Sequence, residues 1–530
     1  MIAAAALASL LALLLPSHDA RPRFVVLHMS AVAYGVPGTS TIAIDRQTGM
    51  FARRLDAGAA SEAEGWDGAH AWRADATGMP RIQGNAGERA EILAWSAALV
   101  HALDGTPRSV IHGAADQVTI AFGSFLRRSG VSVPQRIVMT SAENGTWSAI
   151  FRTVETPWRL SAESFAPPSP PHDATLRGQT RVPVSMRGGY PVIPVTINGT
   201  RLRFILDTGG QNVLTTTAAA KAGVRLEGRG IVNGGGGGIA SIRYGFARSV
   251  RVGAAEMRHQ PFIVLPPRAL PPCDGIVGYE LLARFAARLD MAHGALALAP
   301  HANAFIRGSK PLPFVYFDRQ PQVNGSLDAI PGTFSIDTGS SLTGQVAAPF
   351  VRAHDLTLRL KAKIATYAED VGGRYPIYLV RAHELRLGDA TISNPLLDLM
   401  TKSSTFSNDT VIANIGSALL KRWIIVFDYP HQTLALQPGG DPSGNIVHDR
   451  SGMFLTTHAN DLAVGQVLSG TPAAKVGISA GAILAAVDGR RVAAGDLGRV
   501  RSLLRGAPGT RIELLLKDGS TRELTLQQYL

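Results

Sequence analysis

The chain has 530 residues, which is too many for a single hydrophobic core and predicts several domains. Hydrophobic residues make up 45% and charged residues 17%, as in globular rather than disordered chains, and 56 Gly with 32 Pro favour a turn-rich, mainly β protein. The net charge of +12 is spread without Lys/Arg runs, so no nucleic-acid partner is indicated. One cysteine, Cys273, excludes an internal disulfide and a thiolate-zinc site.

The first segment, residues 1–20, contains an apolar run from 2 to 15 followed by Pro16. This run is short for a bilayer span and has the length of the apolar region of a signal peptide, although no Lys or Arg precedes it. We expect an exported protein, periplasmic or secreted, with this segment either cleaved or kept as an anchor. Membrane contact is expected only through this segment.

Residues 22–165 carry short alternating apolar and polar runs with Gly-containing turns, which predicts an antiparallel β-rich (α+β) accessory domain. The apolar spacing becomes helical near residues 89–105 and ends at a Gly. The Pro-rich residues 166–181 are interpreted as a linker.

An internal repeat follows, with one copy in residues 182–300 and the other in residues 310–438. Each copy has a pair of strand-like runs, an apolar run ending in Asp-Thr-Gly, and a helix-like segment. The first motif is Asp207-Thr208-Gly209, and the second is Asp337-Thr338-Gly339, followed by Ser340. Each copy also closes on an apolar turn ending in Gly, namely Ile276-Val277-Gly278 in the first and Ile415-Gly416 in the second. The repeat predicts two homologous lobes.

The two Asp-Thr-Gly motifs predict the chemistry of the site. Two carboxylates brought together across a pseudo-twofold axis share a proton, so that one acts as a base and the other as an acid around a bound water. The threonines are expected to lock the two loops together, and the glycines to allow close backbone approach. A single Asp-Thr-Gly occurs in ordinary turns, whereas two copies in the same context indicate a catalytic pair, Asp207 and Asp337.

These motifs resemble the active-site loops and closing turns of bacterial retropepsin-like and pepsin-like aspartyl proteases. The resemblance covers about residues 182–438 and implies a bilobal fold, an extended polypeptide substrate and a β-hairpin flap. Two departures from the family pattern are Gly210, where Ser or Ala is usual, and a first flap built from the glycine run 234–238. The flap and substrate residues implied are Gly235, Gly236, Gly237 and Tyr244.

Residues 450–530 resemble a PDZ domain of the bacterial protease type, through the run from Gly470 to Ala473, Val476-Gly477-Ile478 and Val487-Asp488-Gly489. The resemblance implies a groove that adds a peptide strand, with the Gly452-Met453-Phe454 loop near the carboxylate of a C-terminal peptide ligand. A structural cap without a ligand remains an alternative.

The predicted fold class is mainly β, with two retropepsin-like lobes forming a bilobal aspartic protease, preceded by the β-rich domain and followed by the PDZ domain. The leading hypothesis is an aspartic endopeptidase without cofactor or metal, since no HExxH or His-pair spacing occurs. The alternatives are a catalytically latent or inactive peptide-binding scaffold of the cell envelope, and a protease that stays silent until its PDZ module binds a peptide.

Overall fold

The computed structural model describes residues 21–105, 119–141, 145–233, 239–306, 308, 310–361, 364–370, 373–401, 411–439 and 449–529. Within these ranges the strands form four sheets, so the mainly β fold class is confirmed. The leader predicted at residues 1–20 lies outside the described residues. Among the helices that are described, none combines the length and apolar character needed to cross a bilayer.

The N-terminal sheet is a nine-stranded meander with one long helix. Its elements are β1 (Phe24–Ala33), β2 (Val36–Asp45), β3 (Phe51–Asp56), β4 (Glu62–Trp66), β5 (Ala71–Ala74), β6 (Pro80–Ile82), α1 (Ala86–Leu103), β7 (Thr119–Arg128), β8 (Val131–Ser141) and β9 (Gly145–Glu155). The order is β6-β5-β4-β3-β2-β1-β9-β8-β7. Helix α1 begins where the Asn85 side chain accepts the Gly87 N–H at 2.8 Å, and it buries Ile92, Trp95 and Leu99.

The first lobe follows. It contains β10 (Ala174–Thr175), β11 (Thr180–Pro183), β12 (Ser185–Arg187), β13 (Tyr190–Ile197), β14 (Thr200–Leu206), β15 (Val213–Thr215), α2 (Thr216–Lys221), β16 (Glu227–Asn233), β17 (Ile239–Val252), β18 (Ala255–Leu265), β19 (Gly275–Val277), α3 (Tyr279–Leu282), β20 (Ala286–Asp290) and β21 (Ala295–Ala299).

The second lobe has a similar order with an additional short helix and additional strands. It contains β22 (Leu312–Phe317), β23 (Gln320–Leu327), β24 (Ile330–Asp337), β25 (Gly344–Val346), α4 (Ala348–Ala353), α5 (Leu356–Arg359), β26 (Ile364–Asp370), β27 (Gly373–Arg381), β28 (Glu384–Leu387), β29 (Ala390–Ser393), β30 (Leu396–Met400), β31 (Val411–Gly416), α6 (Ser417–Leu420), β32 (Trp423–Asp428) and β33 (Thr433–Pro438).

The two lobes share the same pairing pattern around the Asp-Thr-Gly loops. In the first lobe β14 pairs parallel with β19, β19 antiparallel with β15, and β15 parallel with β18. In the second lobe β24, β31, β25 and β30 repeat this parallel, antiparallel, parallel sequence. The repeat seen in the sequence is therefore a repeat of tertiary structure.

A six-stranded layer joins the lobes, in the order β11-β21-β20-β32-β33-β22. Its central pair, β20 and β32, comes from the two different lobes and brings Ala287 opposite Phe427. Tyr429, directly after β32, is fully buried and donates its hydroxyl to the Thr208 carbonyl at 2.7 Å. This layer therefore supports the Asp-Thr-Gly loop of the first lobe from behind.

The C-terminal sheet comprises β34 (Met453–His458), β35 (Asp461–Val467), β36 (Ile483–Val487), β37 (Arg490–Arg491), β38 (Arg511–Leu516) and β39 (Thr521–Thr525), with α7 (Pro472–Lys475) and α8 (Leu497–Leu503). Its order, β34-β35-β36-β38-β39, leaves β34 as an edge strand among the described residues. Single-turn 3₁₀ helices occur at Gly58–Ala60, Ala162–Ser164, Pro267–Ala269, Ala302–Ala304 and Ala494–Asp496.

The Pro-rich stretch interpreted as a linker is packed against the first lobe. Strand β10 pairs with β18, and Asp173 receives the Arg284 guanidinium at 2.6 Å with the Arg284 side chain only 2% exposed. This part of the segment is therefore fixed against the first lobe by backbone pairing and an ion pair. Its composition suggested a linker because proline removes backbone donors, while the long-range pairings that fix it are not visible in sequence.

The N-terminal sheet and the first lobe share one apolar core. Tyr34 of the sheet stacks on Tyr244 of β17, with ring centroids 5.7 Å apart, and Val213 and Leu265 belong to the same buried cluster. The Arg229 N–H also donates to the Tyr34 carbonyl at 2.6 Å. The N-terminal sheet is therefore packed into one body with the first lobe.

Candidate active site

Each aspartate stands at the end of a buried strand. Asp207 follows β14, and its N–H donates to the Val277 carbonyl of the closing turn at 3.0 Å. Asp337 ends β24 and lies opposite Gly416 of the other closing turn. The closing turns Ile276–Gly278 and Ile415–Gly416 thus run directly beside the two loops and hold the aspartates at fixed positions.

The two loops are locked together by four crossed hydrogen bonds. The Thr208 N–H donates to Thr338 Oγ1 at 3.1 Å, and the Thr338 N–H donates to Thr208 Oγ1 at 3.0 Å. Each hydroxyl then donates across the axis, Thr208 to the Ile336 carbonyl and Thr338 to the Leu206 carbonyl, both at 2.7 Å. Both threonines are completely buried, so these bonds are shielded from water.

This lock brings the two carboxyl groups into contact. Asp207 and Asp337 are hydrogen-bonded to each other, and the pKa of Asp207 is raised by burial and by the neighbouring charge of Asp337. Burial also raises the pKa of Asp337, while hydrogen bonds from its surroundings oppose that effect. The Gly209 N–H donates to Asp207 Oδ1 at 2.9 Å, and the Ser340 N–H to Asp337 Oδ1 at 3.1 Å. Such a pair retains one proton near neutral pH.

Two glycines are required by close approach. A Cβ on Gly339 would lie 2.2 Å from Asp207 Cγ, so any side chain there would displace the partner carboxylate. A Cβ on Gly210 would lie 2.6 Å from Asp207 Oδ2, which gives a physical reason for Gly210 where the resemblance suggested Ser or Ala. The first loop therefore has no side-chain hydroxyl at the position that Ser340 occupies in the second.

Two polar residues beside the pair were missed in the sequence. Asn414 donates its Nδ2 to Asp337 Oδ2 at 2.6 Å, and Gln320 donates its Nε2 to Asn414 Oδ1 at 3.0 Å. Aligning the two repeats would have indicated Asn414, because it stands in the second closing turn where the first has Ile276. Gln320 carries no comparable local signal.

A tight turn of the first lobe reaches the second loop. A Cβ on Gly189 would lie 2.8 Å from Ser341 Cβ, and Tyr190 hydrogen-bonds with Ser341. Burial raises the pKa of Tyr190, which also interacts with both aspartates and with Arg501 of the C-terminal sheet. Tyr190 is therefore a further side chain next to the carboxyl pair.

The predicted flap residues have two different outcomes. Gly235, Gly236 and Gly237 lie outside the described residues, between β16 and β17. Tyr244 is only 7% exposed and stacks on Tyr34, so its assignment as a substrate-contacting flap residue was wrong. The N-terminal sheet covers Tyr244, and the sequence analysis did not predict where this sheet lies.

The PDZ loop differs from the expected carboxylate-binding loop. Asp449 Oδ1 accepts the N–H groups of Ser451 and Gly452 at 2.9 and 2.8 Å, and the Met453 N–H donates to Ser451 Oγ at 3.1 Å. Three donors of the loop are thus satisfied internally. Phe454 is half-buried under the Arg501 guanidinium, which lies 5.7 Å from the ring centroid. The N–H groups of the loop are therefore already hydrogen-bonded within the loop, and its contact with a terminal carboxylate stays a prediction.

No group of three or more His, Cys, Asp or Glu side chains suited to a metal ion occurs within the part of the chain that is described. The residues at the site are carboxyl, amide and hydroxyl groups, which are suited to acid–base chemistry on a bound water.

Comparison with known proteins identifies two modules. Residues 193–281 match the family model of aspartyl proteases, and residues 464–518 match a PDZ domain model. No curated protein sequence matches the chain significantly. Among solved structures, an aspartic proteinase from Irpex lacteus is similar with 13% identity and a TM-score of 0.37, covering 50% of this chain and 99% of its own. Basic 7S globulin from soybean has 11% identity and a TM-score of 0.32, covering 49% and 95%. Residues 193–281 are therefore similar to aspartyl proteases, and residues 464–518, C-terminal to them, are similar to PDZ domains.

Proposed function

We propose that this protein is an aspartic endopeptidase that hydrolyses extended polypeptide segments through a water activated by Asp207 and Asp337. The observation that carries the proposal is the hydrogen-bonded carboxyl pair held by the crossed Thr208 and Thr338 bonds. In this mechanism one carboxylate takes a proton from water as it attacks the peptide carbonyl. The other carboxyl donates its proton to the carbonyl oxygen, which gives a tetrahedral diol. The proton taken from water then passes to the peptide nitrogen, a diol hydroxyl returns a proton to the second carboxylate, and the C–N bond breaks to release the amine and the carboxyl product.

The rigidity of the site supports this proposal. A general acid–base pair must stay within hydrogen-bond reach of one water, and a small displacement lowers the rate severely. The ends of both strands next to the aspartates are buried, and the loops cannot separate without breaking the four threonine bonds.

The test is cleavage of a mixed peptide library by the purified chain across a pH series, read by mass spectrometry. Asp207→Asn and Asp337→Asn should each abolish the cuts made by the wild type. Asp389→Asn is the matched control, since Asp389 is exposed and pairs only at the surface with Lys310 at 3.2 Å. A bell-shaped pH profile is expected. Cuts that persist in either active-site variant would place the chemistry elsewhere, and no cuts at any pH would favour the latent or inactive binding scaffold.

We also propose that the PDZ domain regulates the cleft between the two lobes, because it lies against a strand of the second lobe and a turn of the first lobe. Gln466 of β35 binds strand β26 of the second lobe, accepting from Thr366 Oγ1 at 2.9 Å and donating to the Ala365 carbonyl at 3.2 Å. On the first lobe, Gly498 of α8 lies next to the turn that precedes Tyr190. A Cβ at Gly498 would be 3.8 Å from the backbone nitrogen of Gly188 in that turn.

A peptide that added to the edge of β34 would meet this contact directly. Arg501 of α8 donates to the Leu455 carbonyl of β34 at 2.7 Å, so it occupies a backbone acceptor that an added strand would use. Displacing Arg501 would also alter its interaction with Tyr190. The proposed ligand therefore pairs along the β34 edge and does not depend on the loop that Asp449 already fills.

Regulation of the cleft by the PDZ domain, which we call gating, predicts that Gln466→Ala raises basal cleavage. The substitution removes the hydrogen bonds that tie strand β26 to the PDZ domain. Gln527→Ala, an exposed glutamine of the same domain that accepts from Lys475, is the control. Peptides that bind the PDZ domain should raise the activity of the wild type and have little further effect on Gln466→Ala. Equal basal rates in all three proteins would refute gating while leaving the peptidase proposal intact.

Export to the periplasm or the medium remains part of the proposal, motivated by the apolar residues 2–15. Cell fractionation of the full chain, with detection of its N-terminus, tests it directly.

A further inference from the structure

The two aspartates stand in unlike surroundings, although their loops are related by the repeat. The register of the strands defines equivalent positions in the two lobes. Ile205 lies opposite Ile276, which lies opposite Val213, which lies opposite Ile263. The equivalent row in the second lobe is polar throughout, and consists of Ser335, Asn414, Gln345 and Asp398.

This polar row begins beside Asp337. Ser335 precedes Asp337 by two residues on β24, so both side chains point to the same face of the sheet. Asn414 is 4% exposed and contacts Asp337 directly through the 2.6 Å bond to Oδ2. On the other side of the axis, the hydrocarbon side chain of Ile276 offers no donor to Asp207. A buried charge is thus better solvated by the protein at Asp337 than at Asp207.

The orientation of the Asn414 amide is fixed by its own partner. Gln320, which is 5% exposed, donates Nε2 to Asn414 Oδ1 at 3.0 Å, so Nδ2 is the group turned toward Asp337. Gln320 is a further difference between the two lobes, because the register places Tyr190 at the equivalent position of the first lobe. An amide whose oxygen is occupied can act toward Asp337 only as a donor.

A donor of this kind favours the ionised form of the carboxyl it contacts. An ionised carboxylate accepts hydrogen bonds at both oxygens, and Asp337 receives the Ser340 N–H at Oδ1 and the Asn414 amide at Oδ2. Asp207 receives backbone N–H groups from Gly209 and Gly210 of its own loop, and Ile276 stands where an amide like that of Asn414 would be. The neutral carboxyl of the pair is therefore accommodated at Asp207.

We propose that Asn414, oriented by Gln320, is the positioning residue that keeps Asp337 ionised and leaves the shared proton on Asp207. This inference rests on the proposed peptidase function, in which it makes Asp337 the base toward water and Asp207 the acid toward the peptide oxygen. The other titratable groups facing the pair are Tyr190 from β13 and Tyr429 after β32, and Arg501 acts on Tyr190. Burial raises the pKa of both tyrosines, so they stay neutral while the pair titrates.

The first test does not require turnover. A diazo ester reagent esterifies a protonated carboxyl, whereas an epoxide is opened by an ionised carboxylate. Peptide mapping by mass spectrometry after each reaction therefore identifies the proton-bearing member. For the wild type we expect the diazo ester on Asp207 and the epoxide adduct on Asp337. The double variant Asn414→Ile with Ile276→Asn exchanges the two environments and should exchange the two labels. Labels that stay in place in the double variant would overturn the proposal.

The second test uses the pH profile of kcat/KM. Asn414→Ile removes a hydrogen bond to a charged group, which is worth on the order of 1.5–3 kcal/mol, or about 1–2 pH units. The acidic limb of the profile should shift to higher pH by that amount, because Asp337 ionises less readily without the amide donor. Gln320→Leu should move it in the same direction by less. Asn303→Ile, at an exposed residue of the 3₁₀ turn Ala302–Ala304, is the matched control and should leave the limb unchanged.

The two tests separate this inference from the peptidase proposal. Reduced activity in Asn414→Ile with the acidic limb at its wild-type position would assign Asn414 a structural role only and overturn the inference, while the cleavage by the wild type would still stand. Correct labelling in a protein that cuts no peptide would uphold the positioning role and count against the peptidase function.

Discussion

Replacement of Thr208 by valine is the sharpest test of the lock between the lobes. Valine keeps the size and shape of threonine but removes the hydroxyl group. It leaves two buried groups without their partners, the N–H of Thr338 and the carbonyl of Ile336. An orphaned buried polar group costs about 1–3 kcal/mol, so the variant should lose about 2–6 kcal/mol of stability. That is a large share of the about 5–15 kcal/mol by which folded domains are usually stable.

Thr208→Ser supplies the matched control, since it retains both hydrogen bonds and removes one methyl group, worth about 0.8 kcal/mol. Because the chain has several domains, a local measurement is preferable to a global unfolding curve. Hydrogen exchange of peptides covering residues 334–340 should accelerate strongly in Thr208→Val and little in Thr208→Ser. Equal exchange in the two variants would mean that the crossed bonds do not hold the loops, and the physical account of the site would fail.

Three further predictions follow from burial and charge. The pKa of Asp207 is raised from 3.8 to about 7 in the folded chain, so the folded state binds more protons and stability falls as pH rises through that window. Asp207→Asn cannot ionise, so urea unfolding should find it more stable than the wild type at pH 8 and closer to the wild type at pH 4; a pH-independent difference would contradict this. Tyr244→Ala should cost about 3–5 kcal/mol and expose the contact with the N-terminal sheet to limited proteolysis, whereas Tyr367→Ala, at a ring that is 44% exposed, should not. Chelators should leave cleavage unchanged, because the proposed chemistry uses only carboxyl groups and water; loss in EDTA that zinc restores would refute it.

The carboxyl pair could be predicted because its determinants are local. An apolar strand followed by Asp-Thr-Gly specifies a buried strand and a tight loop within a few residues, and the second copy of the motif implies a partner across an axis. The mainly β fold followed in the same way from alternating patterns and turn residues. Tyr244 was misassigned because an aromatic residue near a glycine-rich hairpin has the same local pattern whether it is covered or exposed.

The sequence by itself determined the two lobes, the aspartates and the PDZ module, since strand periodicity, turn chemistry and repeated motifs are encoded by neighbouring residues. Tertiary structure alone decided that the N-terminal sheet covers the first lobe, that Asp449 fills the PDZ loop, and that Gln320 orients Asn414 beside Asp337. These contacts join residues tens to hundreds of positions apart or depend on the geometry of a loop. Hydrogen bonding and apolar burial act over a few ångströms, and only the folded chain brings such groups within that distance.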